Sequence, residues 1–291
     1  MMLYEEGKWK LDDPITRVPA GNGQPQGHFW CRCLRQADHR AGQTPADHAR
    51  ADEPHAGFGY GLLGRNPVDD MFRARAVNGS KNLAEVAAKG CRHSAQVPAR
   101  RRLDYSIAVD LQARIVEVIT GENYGAYLQR RVLGPLGMTG YRLPVPAEKV
   151  GRFADLYGLD PKSGKIVPLP PTFAPNFNFT DPNRQQSGGG GLVSTASDYG
   201  RFCQMILNGG KLGGVRLLKP ETIALMGQDV IPQGVRPDNG LVGGMGTTAF
   251  AFGPGVGFGL DFMVIKDPKS ARLPVGKARS AGASSWNLVS D

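Results

Sequence analysis

Apolar residues return at helical spacing through much of residues 104–276, whereas strand-like alternation is scarce there. Ile107, Leu111, Ile115 and Val118 recur every three or four residues, which predicts a helix from Asp104 to Val118. Tyr124, Tyr127, Leu128 and Val132 share one face of a second helix predicted from Asn123 to Leu133, ended by Gly134-Pro135. Thr195-Ala-Ser-Asp198 reads as a capping box with Asp in place of the usual Glu. Tyr199, Phe202, Met205 and Ile206 then line a helix face that Gly209-Gly210 closes. Lys219-Pro-Glu-Thr opens another helix, with Pro220 suited to its first turn. Val256 to Ile265 alternates in part and predicts one strand; Lys165 to Leu169 is a shorter candidate. Gly240 to Ala249 reads as loop or strand edge. The mixture predicts an α+β fold, helices packed on an antiparallel sheet, rather than repeating βαβ units.

Outside that block the pattern is uneven. Residues 1–19 and 55–88 look regular, but 20–54 and 89–103 are rich in Arg, Ala, Gly and Pro and carry little periodicity. The tail 277–291 has no clear pattern either. The expected organisation is a single domain over 1–276, with aberrant stretches at 20–54 and 89–103 and an aberrant tail at 277–291. A chain of 291 residues can bury a large core, and its 40 glycines and 22 prolines imply many turns.

The net charge of +9 raises the question of nucleic acid. Its distribution argues against it. The basic excess lies in 89–103 and 266–291, without aromatic platforms or a recognisable binding module. No window approaches 18 consecutive apolar residues, so no membrane span is expected. The opening residues lack a basic stretch followed by an apolar run, and the chain as written is expected to be cytoplasmic. Cys31, Cys33, Cys91 and Cys203 do not form a disulfide framework, and Cys203 is expected in the core of its amphipathic helix. His28, Cys31, Cys33, His39, His48 and His55 match no common zinc spacing, so neither metal nor cofactor is expected. Gly188–Gly191 lacks the Lys-Ser/Thr of a phosphate loop, and no Gly-x-Ser-x-Gly elbow occurs. Phe173, Phe177 and Phe179 are expected to pack, with pocket lining as the other use.

Several segments, in order, resemble class C β-lactamase-like serine hydrolases and the related family VIII-type carboxylesterases. Tyr105-Ser-Ile-Ala-Val-Asp-Leu resembles the helix around that family's catalytic tyrosine. Leu133-Gly-Pro-Leu-Gly-Met-Thr is similar to its "PLGM" segment, and Ser187-Gly-Gly-Gly-Gly-Leu-Val-Ser-Thr-Ala-Ser-Asp to its "GGGLxST..D" segment. Leu217-Leu-Lys-Pro-Glu-Thr resembles "LLSPET", and Gly257-Phe-Gly-Leu-Asp-Phe resembles "GYGLGF". Upstream, His55-Ala-Gly-Phe-Gly and Glu5-Glu-Gly-Lys-Trp-Lys-Leu-Asp-Asp-Pro-Ile are weaker matches. The resemblance implies a β-lactamase/transpeptidase-like fold and a small-molecule ester or β-lactam as substrate in intact relatives, through a serine-bound acyl-enzyme.

Three motifs would carry that chemistry. The nucleophile of Ser-x-x-Lys has its ammonium one helical turn away to help remove the hydroxyl proton. No serine here has lysine three positions on; Ser163-Gly-Lys165 is the nearest imitation. The family places this motif just before the stretch matched by residues 5–15. The second motif implies Tyr105 as a general base, with Ile107 where β-lactamases carry Asn. The third, an oxyanion-hole strand, is unreadable in Gly276–Trp286. An incomplete hydrolase without activity is therefore expected, the alternative being a non-catalytic binding protein that keeps the substrate groove. Out-of-frame reading of a GC-rich gene would account for the composition of 20–54, 89–103 and the tail.

Overall fold

The computed structural model describes residues 1–11, 13, 60–61, 67–94, 102–103, 106–140, 145–155, 157–160, 162–168, 179–181, 183–231, 236–237 and 255–271. In chain order these residues form α1 (Met2–Glu5), α2 (Pro67–Ala74), α3 (Leu83–Ser94), β1 (Arg102–Leu103), α4 (Ala108–Thr120) and α5 (Tyr124–Leu128). There follow β2 (Tyr157–Leu159), β3 (Ile166–Pro168), α6 (Ala196–Leu207), β4 (Lys211–Leu212), β5 (Val215–Arg216) and α7 (Pro220–Met226). The last are β6 (Arg236–Pro237), β7 (Val256–Phe258), β8 (Met263–Ile265) and α8 (Pro268–Ala271). Strands β2 and β3, β4 and β5, and β7 and β8 pair antiparallel, while β1 and β6 pair in parallel. The fold is α+β, and the strands of the described residues lie in two-stranded pairs.

Local chemistry sets the element ends. The predicted start of α4 at Asp104 moves to Ala108, because Ser106 Oγ accepts from the Ala108 amide at 3.3 Å and turns the chain there. Asp104 itself lies outside the described residues. The helix ends past Val118, where Gly121 takes a left-handed conformation and its amide bonds Glu117 O. Asn123 caps α5, accepting from the amides of Gly125 and Ala126. The second predicted helix does not stay α-helical to Leu133. It widens into a π turn over Gln129–Leu133 before Gly134-Pro135.

Thr195 Oγ1 accepts from the Asp198 amide at 3.1 Å, as the capping box predicts. The Asp198 carboxylate does not complete that box. Its Oδ2 accepts from the Gly140 amide at 2.5 Å, so it pins a loop 58 positions away. Pro220 opens α7 as expected, and Glu5 Oε1 accepts from the Lys219 amide just ahead of it at 2.7 Å. The strand predicted from Val256 to Ile265 is a hairpin, β7 and β8. Its turn carries Asp261 at φ 62°, a conformation that Asp tolerates better than most residues. Gly240–Ala249 lies outside the described residues; Ile166–Pro168 realises the short strand candidate.

The cores form where the apolar stripes meet. Leu133, Leu136 and Met138 bury against Met205 of α6, with Leu128, Val132, Phe202 and Ile206 packed around them. Each such burial contributes about 1.5–3 kcal/mol. Arg201 Nε donates to Leu136 O at 2.6 Å and fixes the connecting turn on α6. Cys203 departs from its expected core position. It is exposed, one residue round the helix from Phe202, on the side that Met205 leaves to solvent. On the other side, α3 packs on α4 so closely that a Cβ at Gly90 would stand 2.4 Å from Ile107 Cδ1.

Candidate functional site

The residues best ordered for function surround the start of α4, which follows Tyr105 directly in sequence. Tyr105 itself lies outside the described residues, as do His28, Cys31, Cys33, His39, His48, His55, Phe173, Phe177 and Gly276–Trp286. The Cys91 backbone lies in the last turn of α3, and its side chain lies outside the description.

Asp110 organises this region. It occupies the apolar face of α4, one helical step from Ile107 and beside Leu111, and is only 4% exposed. A carboxylate on that face needs partners. Ser187 Oγ donates to Asp110 Oδ1 at 2.6 Å, and the Gly188 amide donates at 2.9 Å. The Gly189 amide stands 3.5 Å from the same oxygen and 3.1 Å from Ser187 Oγ. Burial pushes the Asp110 carboxyl above the usual carboxylate range, and the bonds from Ser187, Gly189 and Gly188 pull it back in part. Gly188 is the residue that allows the approach: a Cβ there would stand 2.3 Å from Val109 O.

The other end of the glycine loop is held by a cation. Arg184 Nη1 and Nη2 donate to Gly191 O and Gly190 O at 3.3 and 3.4 Å, and the guanidinium lies 4.2 Å above the Phe179 ring. Burial lowers the Arg184 pKa from its ordinary value. The loop is thus clamped with an anion at its amides and a cation at its carbonyls. Gln186 extends the clamp to the next helix, its Oε1 accepting from the Gly125 amide at 2.8 Å in the first turn of α5. Tyr124, at the same helix start, has its phenol pKa pushed well above the ordinary value, first by burial and then by Asp110 and Asp261.

Sequence reading singled out the glycine run and Tyr105, but missed Asp110 and Arg184. Asp110 carries its own signal, an acid where the 3.6-residue period calls for an apolar side chain. Arg184 carries none, since its partners are backbone carbonyls set by the loop's path. Among the described residues no group of three His, Cys, Asp or Glu side chains could hold a metal, and no helix is long and apolar enough to cross a membrane.

The chain is similar to several known proteins. The Beta-lactamase family matches residues 1–287. Protein Rv1367c of Mycobacterium tuberculosis is 31% identical over 300 residues, covering 98% of this chain and 67% of that protein. Esterase EstB of Burkholderia gladioli is 33% identical over 198 residues, which is 64% of this chain and 44% of EstB. Among solved structures, EstCE1, a hydrolase with promiscuous acyltransferase activity, superposes with a TM-score of 0.66 at 21% identity, over 94% of this chain and 68% of that one. By the family match over nearly its whole length, and with a fold its structural neighbour shares, this chain belongs to the β-lactamase family.

Proposed function

We propose that this chain carries the scaffold of a serine hydrolase of the esterase or β-lactamase type without a working nucleophile. The general reading rests on the family and on its esterase relative. The loss of activity rests on one observation: none of the serines in these 291 residues has lysine three positions on. Without that neighbour a serine hydroxyl stays protonated and a poor nucleophile. Tyr105 would be the general base, two positions ahead of Ile107 in the sequence, and it has no serine to activate. Small-molecule esters or β-lactams are the compounds its groove would accept.

The discriminating experiment is hydrolysis of a short-chain chromogenic ester by the purified 291-residue chain. The expected rate equals that of the buffer blank. Turnover above blank that Tyr105→Phe abolishes would overturn the proposal and show a surrogate nucleophile. The second reading, a binding protein that keeps the groove, is favoured by the intact loop clamp at Asp110, which needs no nucleophile. Saturable binding of the ester without turnover would support it.

A further inference from the structure

We propose that Asn208 is a site of spontaneous modification, at which the folded chain converts Asn208-Gly209 to aspartyl and isoaspartyl forms. The step needs only water. The Gly209 backbone nitrogen attacks the Asn208 side-chain carbonyl carbon, and its proton leaves with the amide nitrogen as ammonia. Water then opens the resulting succinimide at either carbonyl. One opening gives Asp, and the other gives its isomer, whose backbone runs through the side chain. Glycine at the following position permits the attack, because no Cβ shields its nitrogen.

Asn78-Gly79 and Asn208-Gly209 both lie among the described residues, and the fold treats them differently. Asn78 sits in a 3₁₀ turn, Val77–Gly79, whose first residue is fully buried. Its Nδ2 donates to Tyr60 O at 2.7 Å, a part-buried bond to a segment 18 positions away. Asp69 holds that segment in turn, accepting from the Tyr60 amide at 3.0 Å. Rotating Asn78 for attack means breaking its bond and lifting Val77 from the core. Asn208 ends α6, is exposed, and follows Leu207, which is 74% exposed. Its Oδ1 accepts from Gln204 Nε2 at 2.9 Å, an exposed bond within the same helix segment. The Gly209 amide donates to Ile206 O at 3.0 Å, so attack runs through an opened last turn. A helix end frays at little cost, and the exposed Leu207 does not anchor this one. Gly209 and Gly210, at φ 64° and 89°, put no side chain in the way. The isomer adds a methylene to a turn with no room for it: a Cβ at Gly210 would stand 2.1 Å from Leu218 O. The proposal stands apart from the hydrolase reading, since it uses neither Tyr105 nor a catalytic serine.

The test is incubation of the full chain at mildly alkaline pH, with and without urea, followed by tryptic digestion and mass spectrometry. Residues 76–81 carry Asn78 and residues 202–211 carry Asn208, each as the single Asn of its tryptic peptide. Fragmentation separates conversion at Asn208 from conversion at Gln204. In the folded chain Asn208 is expected to convert at least about tenfold faster than Asn78, as for one hydrogen bond and one buried side chain in the cost of opening. Its rate should rise with hydroxide, which removes the Gly209 proton. In urea the two sites should come within about threefold of each other, because neither keeps its folded surroundings. Equal rates in the folded chain overturn the proposal. So does an Asn208 that stays unmodified when folded yet converts in urea. A preference of the same size in urea overturns it as well, since the flanking residues and not the fold would then set the site.

Discussion

Asp110 and Ser187 stand 77 positions apart in the chain and meet at 2.6 Å in a partly buried bond. Through it the glycine loop and α4 become one unit. All the bonds that Asp110 accepts from this loop converge on Oδ1. That detail sets an unusual expectation for substitution. Asp110→Ala leaves the half-buried Ser187 hydroxyl and Gly188 amide without their acceptor and should cost about 1–3 kcal/mol in urea unfolding. Asp110→Asn keeps an oxygen at Oδ1 and removes the charge, and should stay within about 1 kcal/mol of the parent. Equal losses for the two variants would mean that the charge, not the acceptor, holds the loop.

The same carboxyl sets a pH dependence. Its folded pKa lies above the ordinary carboxyl value of about 3.9, chiefly through burial. The folded state therefore keeps this proton when the unfolded chain has released it, and stability from this group falls as pH rises from near 4 through the folded pKa. Asp229, lowered by Lys266 and by the Phe258 and Ile231 amides, acts in the opposite sense. Comparing the parent with Asp110→Asn isolates the first effect. The parent should lose stability relative to the Asn variant between pH 4 and pH 8, and urea midpoints across that range measure it. A constant difference would show that Asp110 titrates alike in both states.

Two glycines predict opposite signs. Gly188→Ala would put a methyl 2.3 Å from Val109 O, so the loop must leave α4 or the helix must shift. Overpacking of this kind costs about 1–3 kcal/mol, and the Asp110 bonds would lengthen with it. Gly200 lies in α6, exposed, with nothing within 4 Å of an added Cβ. Gly200→Ala should stabilise the chain by about 0.5–1 kcal/mol through helix propensity. Thermal unfolding of both variants checks the pair.

How far the sequence foretells this structure depends on what each residue answers to. Local signals read well: Thr195 caps α6, Asn123 caps α5, and Pro220 opens α7. The stripes of α4 and α6 located the core, because burial follows period. Signals failed where a distant partner decides. Asp198 looks like a box residue but serves Gly140, and Glu5 caps α7 from across the chain. Cys203 looked apolar enough for the core, yet Phe202 and Met205 already fill the buried face. The hairpin at Asp261 was hidden because both of its strands carry similar apolar residues, and only the φ of one residue divides them. Asp110 was legible as an anomaly on an apolar face; its partners were not.

A last prediction concerns Tyr127, whose hydroxyl is buried and has no hydrogen-bond partner among the described residues. Most of its ring is wrapped by protein, with the guanidinium groups of Arg130 and Arg131 5.8 and 5.7 Å from its centre. Burial raises its phenol pKa, with Arg131 opposing, so the group is neutral and contributes no charge. An unpaired buried hydroxyl has exchanged water for nothing, at a cost of roughly 1–3 kcal/mol. Tyr127→Phe keeps the ring, its packing and both cation contacts, and removes only that liability. The variant should therefore be as stable as the parent or more so, by up to about 1–2 kcal/mol. A loss of stability in urea unfolding would instead mean that the hydroxyl has a partner in solution, and water is the one with room to reach it.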